Sequence, residues 1–108
     1  MSGPELSDFL GRLSSRDHAA AWLARELLAA GWSIRSLTGP VQMDVWELLL
    51  RRGTRTVRFG IERGRSDGVH FVDGAETYRP VVEAMSMGER AVSALLEDPV
   101  AVLQWLNK

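Results

Sequence analysis

Apolar and polar side chains alternate along the stretch from 42 to 65, and this alternation predicts a β-hairpin. Gly53 and Thr54 separate the two runs, and glycine at the first of two loop positions is typical of a type II′ turn. The predicted register pairs Arg52 with Arg55, Leu50 with Val57, Leu48 with Phe59, Trp46 with Ile61 and Asp44 with Arg63. Six large apolar residues then share one face: Trp46, Leu48, Leu50, Val57, Phe59 and Ile61. This face predicts one side of a hydrophobic core.

Helical spacing of apolar residues predicts two helices before the hairpin. The first begins near Pro4 and carries Leu6, Phe9, Leu10 and Leu13. Ser14 with Asp17 three residues later resembles a capping pair at the start of the second helix, which Gly31 ends. A strand over 32–38, closed by Gly39 and Pro40, leads into the hairpin.

After the hairpin, 64–68 is typical of a turn and 69–72 of a short fourth strand. An apolar stripe at helical intervals predicts a helix over 80–97. Asp98 and Pro99 then predict the start of a last helix, with Val102, Leu103 and Leu106 facing inward.

We therefore predict one α+β domain over 1–108, with the element order α-α-β-β-β-β-α-α. The four strands form an antiparallel meander, and all four helices pack on one face of the sheet. Hydrophobic residues make up 45% of the chain and charged residues 25%, which is ordinary for a globular protein. No apolar run approaches the roughly 18 residues of a membrane span. The N-terminus lacks a secretory pattern, so we expect a cytoplasmic protein.

Charge is distributed unevenly, although the formal net charge is −1. The stretch 51–65 carries six arginines against Glu62, whereas the rest of the chain is acidic. The predicted hairpin places some of these arginines at its tip and on its outer face, next to apolar outer-face side chains. We predict a partner-binding site made of Arg51, Arg52, Arg55, Arg58, Met43, Val45 and Leu49.

Three roles remain open for these arginines. They can bind a protein partner with an acidic surface, or a second copy of the chain. They can bind the phosphates of a nucleic acid. They can instead form ion pairs within the domain, where Glu47 and Glu62 are the predicted neighbours of Arg58 on the outer face.

Catalytic patterns are sparse. The chain has no cysteine, which excludes disulfides and thiolate metal sites. His18 and His70 are the only histidines, and neither a G-x-S-x-G motif nor a phosphate-binding loop is present. We predict no catalytic residues, no metal and no cofactor.

The order of Glu26 on a helix and of Asp44 and Glu62 on two strands loosely resembles the restriction-endonuclease-like nucleases. That family uses a Glu-x-Lys pattern to hold a divalent metal ion, and this chain lacks the pattern around Glu62. The predicted register also places Asp44 and Glu62 on opposite faces, where they cannot bind one ion. Our leading hypothesis is a small non-enzymatic protein-binding domain of the adaptor, chaperone or immunity type. The alternative is a nucleic-acid-binding module, including a degenerate relative of those nucleases.

Overall fold

The computed structural model describes residues 3–41, 45–74, 78–80 and 99–108. Helices α1 (Gly3–Arg16) and α2 (His18–Ala29) precede the sheet, and α3 (Pro99–Leu106) follows it. The strands are β1 (Ser33–Val41), β2 (Val45–Arg52), β3 (Arg55–Glu62), β4 (Arg65–Asp73) and β5 (Arg79–Pro80). None of the described helices is long and apolar enough to cross a membrane.

The sheet is an antiparallel meander with the strand order β1-β2-β3-β4-β5. The predicted α+β class and the four long strands in sequence order are confirmed. The two-residue strand β5 was not predicted. The described residues contain one C-terminal helix rather than the predicted two. Pro80, where the first of these was predicted to begin, belongs to β5, and the rest of that predicted helix lies outside the described residues.

The predicted hairpin register is confirmed from Arg52–Arg55 to Trp46–Ile61. Gly53 has a φ of 61°, and the φ of Thr54 is not positive. A type II′ turn requires this combination at its two central residues. The predicted pair of Asp44 with Arg63 involves a residue outside the described part of the chain.

The predicted apolar face of the hairpin forms the floor of the core, and none of its six side chains is more than 4% exposed. Residues from α1, α2 and α3 join this face in one hydrophobic cluster. Phe9 of α1 packs on Trp46 with 6.0 Å between ring centroids, and Trp105 of α3 meets Phe71 edge to face at 5.1 Å. The sheet therefore has an inner face covered by helices and an outer face on the opposite side.

Two predicted strand boundaries are wrong. Strand β1 continues through Gly39 and Pro40, where a register shift lets two β1 residues oppose Trp46 alone. Strand β4 begins at Arg65 because the reversal is at Arg63 and Gly64, not at 64–68. Both turn residues have positive φ, as in a type I′ turn.

The junction between α1 and α2 also differs from the prediction. Helix α1 continues past Ser14, and Asp17 is the N-cap of α2, because its carboxylate accepts a hydrogen bond from the Ala20 amide at 3.1 Å. The second Asp17 oxygen accepts from the Ser66 hydroxyl at 2.8 Å, which ties the helix start to β4. Gly31 ends α2 as predicted, in a Schellman arrangement.

Candidate binding surface

The outer face of the sheet carries four of the seven side chains that the sequence predicted to bind a partner: Arg51, Arg58, Val45 and Leu49. Alternation along β2 and β3 brings Val45, Glu47, Leu49 and Arg51 next to Thr56 and Arg58. Val45 and Leu49 are half-buried, and Arg51 is exposed. Met43, the other predicted apolar member, lies outside the described residues.

Arg58 is held by carboxylates from the two neighbouring strands. Its Nε lies 2.7 Å from Glu47 Oε2, and its Nη2 lies 2.8 Å from Asp67 Oδ2. The His70 ring adds a contact of 3.4 Å to Nη1. Partial burial alone would lower the pKa of Arg58, but the hydrogen bonds and charges of Glu47 and Asp67 raise it above its ordinary value. Arg58 therefore keeps its charge at any physiological pH and binds the domain's own acids.

The ion pair of Arg58 with Glu47 was one of the predicted alternatives, whereas the second acid is Asp67 rather than Glu62. Gly60 makes this possible. A β-carbon on Gly60 would lie 3.2 Å from the Asp67 Cβ and 3.5 Å from the Arg58 Nη2. The missing side chain thus leaves room for the Asp67 carboxylate to approach Arg58.

Replacement of Arg58 by alanine is expected to lower the free energy of unfolding by about 1–2 kcal/mol, because two charge-assisted hydrogen bonds are lost. Urea denaturation measures this change. Arg51→Ala is the matched control on the same face, and we expect an effect within about 0.5 kcal/mol. Equal losses for the two variants would contradict a structural role specific to Arg58.

Arg52 and Arg55 are not free at the tip of the hairpin, although the sequence predicted that they would be. They lie at the inner-face end and contact the C-terminus of α3. Arg55 donates from Nη1 to the carbonyl oxygen of Leu106 at 2.7 Å, and Arg52 donates to Asn107 Oδ1 at 3.2 Å. Asn107 Oδ1 also accepts from the Trp32 indole at 2.9 Å. Cations at this helix end satisfy an unpaired carbonyl and complement the helix dipole.

Arg51 is the predicted arginine that is best placed for another molecule. Within the described residues, its guanidinium forms one hydrogen bond, from Nε to the Gly53 carbonyl oxygen at 2.9 Å. It forms no ion pair with a described carboxylate. The terminal amino groups of Arg51 therefore form no hydrogen bond or ion pair with the described residues.

Sequence reasoning missed Arg35 and Tyr78, which lie beside Arg51 at the outer face. Ile34 pairs with Leu50 and Ser36 with Leu49, so Arg35 is an extra residue in a bulge of β1. Regular alternation would have placed Arg35 with Leu37, which pairs with Leu48 on the inner face. The bulge, which the sequence does not reveal, moves Arg35 to the outer face.

Among the described residues, no three His, Cys, Asp or Glu side chains are grouped so that they could hold a metal ion. Glu62 is exposed at the end of β3, and Glu26 lies on α2 in the helical layer. Asp44, the third residue of the nuclease resemblance, lies outside the described part of the chain. No protein-family model, curated protein or solved structure matches this chain.

Proposed function

We propose that the protein is a small binding domain of the adaptor, chaperone or immunity type, and that its outer sheet face binds an acidic surface of a protein partner. The observation that carries this proposal is Arg51, an exposed cation two residues along β2 from the half-buried Leu49 on the same face. Arginine next to apolar side chains is the composition that interfaces favour, and its planar guanidinium fits a carboxylate.

Three of the four predicted arginines bind residues outside the β2–β3 turn, on other elements of the domain, which favours a protein partner over a nucleic acid. Arg58 binds two carboxylates, and Arg52 and Arg55 bind the end of α3. A nucleic-acid surface gains affinity from many phosphate contacts, and each contact requires an available cation. A protein interface needs only one or two well-placed arginines within an apolar surrounding.

Reversing the charge of Arg51 with Arg51→Glu is expected to reduce partner capture at least about tenfold, because a cation that meets a carboxylate becomes a repelling anion. Arg25→Glu on the exposed side of α2 makes the same change of charge away from the sheet and is expected to leave capture unchanged. Capture from a lysate of the host is measured by quantitative mass spectrometry, with urea denaturation as a check that both variants are folded.

Two further measurements separate the possible partners. Light scattering of the purified chain detects self-association, and loss of a dimer in Arg51→Glu would make a second copy the partner. Fluorescence anisotropy with oligonucleotides in a salt series detects nucleic acid, and Arg51-dependent binding there would replace the protein-partner proposal. Equal capture by wild type and Arg51→Glu would contradict a role of the outer face.

A further inference from the structure

A groove of about 400 Å³ crosses the outer face at the end of the sheet next to the β2–β3 turn. Its lining comes from every strand from β1 to β4 and from the residues next to β5. We call it the outer groove, and the residues used below are Arg35, Arg51, Thr54, Thr56, Val72 and Tyr78.

The floor of the outer groove consists of Thr56 and Val72, which oppose each other across β3 and β4. Both side chains point to the outer face, yet only 6% of Thr56 and 7% of Val72 are exposed. Val72 is buried without belonging to the main hydrophobic cluster. Both residues are therefore largely shielded from solvent although they face away from the core, and together they offer a hydroxyl beside an apolar surface.

The two charged side chains among the described lining residues of the outer groove are both cationic. Arg35 forms no ion pair within the described residues, and Arg51 uses only its Nε for the Gly53 carbonyl. Asp73, which follows Val72 in the chain, is the acid nearest to the groove in sequence. Its carboxylate accepts a hydrogen bond from the Thr54 hydroxyl at 2.6 Å. It pairs with Arg55 in the β3–β4 register and does not line the groove. Two guanidiniums in a concave site, with no carboxylate among its described lining residues, favour an anionic guest.

We propose that the outer groove binds a carboxylate side chain of the partner together with the apolar residue next to it. Arg35 and Arg51 bind the carboxylate, and Val72 and Tyr78 contact the apolar neighbour. The volume is in the range of pockets that hold small ligands, so the groove has room for two side chains. That the bound carboxylate belongs to a protein rests on the proposed function. The preference for a carboxylate rests on the groove alone.

The test is a titration of the ¹⁵N-labelled full chain with the blocked dipeptide acetyl-Glu-Leu-amide, followed by NMR. We expect saturable shifts at Thr54, Thr56 and Val72 and at the Nε signals of both arginines. Acetyl-Gln-Leu-amide is the neutral control and is expected to bind at least about tenfold more weakly. Arg35→Ala and Arg51→Ala are each expected to weaken binding of the glutamate dipeptide roughly tenfold, and Arg25→Ala is expected to leave it unchanged.

Shifts that do not saturate, or equal binding of the two dipeptides, would overturn the inference. Saturable binding of inorganic phosphate at the same signals, without binding of the glutamate dipeptide, would also overturn it. Arg35→Ala also separates this inference from the proposed function. If Arg51→Glu loses the partner and Arg35→Ala binds both partner and dipeptide like wild type, the outer face binds a partner, but Arg35 takes no part and the inferred two-arginine site is wrong. If the groove binds the dipeptide and no captured protein depends on Arg51, the groove is supported and the proposed function is wrong.

Discussion

Replacement of Leu48 by aspartate is expected to prevent the domain from folding, whereas the same change at Leu49 is expected to leave it folded. Leu48 is fully buried in the hydrophobic cluster, and Leu49 is half-buried on the outer face. The first variant loses the burial of a leucine and places an unpaired carboxylate in the core, which together cost more than about 5 kcal/mol. This is comparable to the whole stability of a typical domain. Far-UV circular dichroism distinguishes the two variants.

Alanine variants at the same two positions give a measurable difference even if the aspartate variant of Leu48 does not fold. Leu48→Ala is expected to lower the free energy of unfolding by about 2–5 kcal/mol, and Leu49→Ala by about 1 kcal/mol or less. Urea denaturation measures both. Because neighbouring strand residues point to opposite faces, a hairpin shifted by one residue would exchange the two effects.

Gly39→Ala is expected to lower the free energy of unfolding by about 2–6 kcal/mol, the sum of two contributions. Gly39 has a φ of 121°, a conformation that costs other residues about 1–3 kcal/mol. A β-carbon there would also lie 2.6 Å from the Val45 carbonyl oxygen and 2.9 Å from the Trp46 Cα, and overpacking adds about 1–3 kcal/mol. These atoms belong to backbone on the neighbouring strand, so they cannot move without disturbing the β1–β2 pairing.

Two further glycine variants separate the cost of the backbone conformation from the cost of the steric clash in Gly39→Ala. Gly74 has a φ of 71°, and no atom of the described residues lies within 4 Å of an added β-carbon, so Gly74→Ala is expected to cost only the conformational share, about 1–3 kcal/mol. Gly11 lies inside α1 with nothing within 4 Å, and Gly11→Ala is expected to stabilise the domain by about 0.5–1 kcal/mol. Thermal and urea unfolding rank the three variants. A loss at Gly39 no larger than that at Gly74 would show that the close approach has no energetic effect.

The central hairpin was predictable because its determinants are local. Gly53 fixes the turn, the turn fixes the register, and the register fixes which side chains face inward. The helix spacing and the stop at Gly31 are local in the same way. Propensity alone wrongly ended β1 at Gly39, because pairing with β2 carries the strand through a glycine and a proline that usually interrupt strands.

The candidate site was only partly predictable, because contacts between distant parts of the chain decide which arginines bind within the domain and which remain available to a partner. Arg55 reaches Leu106 across a separation of 51 residues, and Arg52 reaches Asn107 across 55. Neither contact has a signature in the sequence around the hairpin. Arg35 was missed for a related reason, since its position depends on a bulge that appears only when β1 pairs with β2.

The irregularity of β1 has a consequence for how the protein behaves in a crowded solution. Within the described sheet, β1 is an edge strand with β2 as its strand neighbour, and an unpaired edge is a template on which other chains can aggregate. Two register shifts interrupt this edge, and Pro40 has no amide hydrogen to offer an incoming strand. The bulge that brings Arg35 to the outer face is therefore also expected to disfavour pairing of this edge with a strand of another chain.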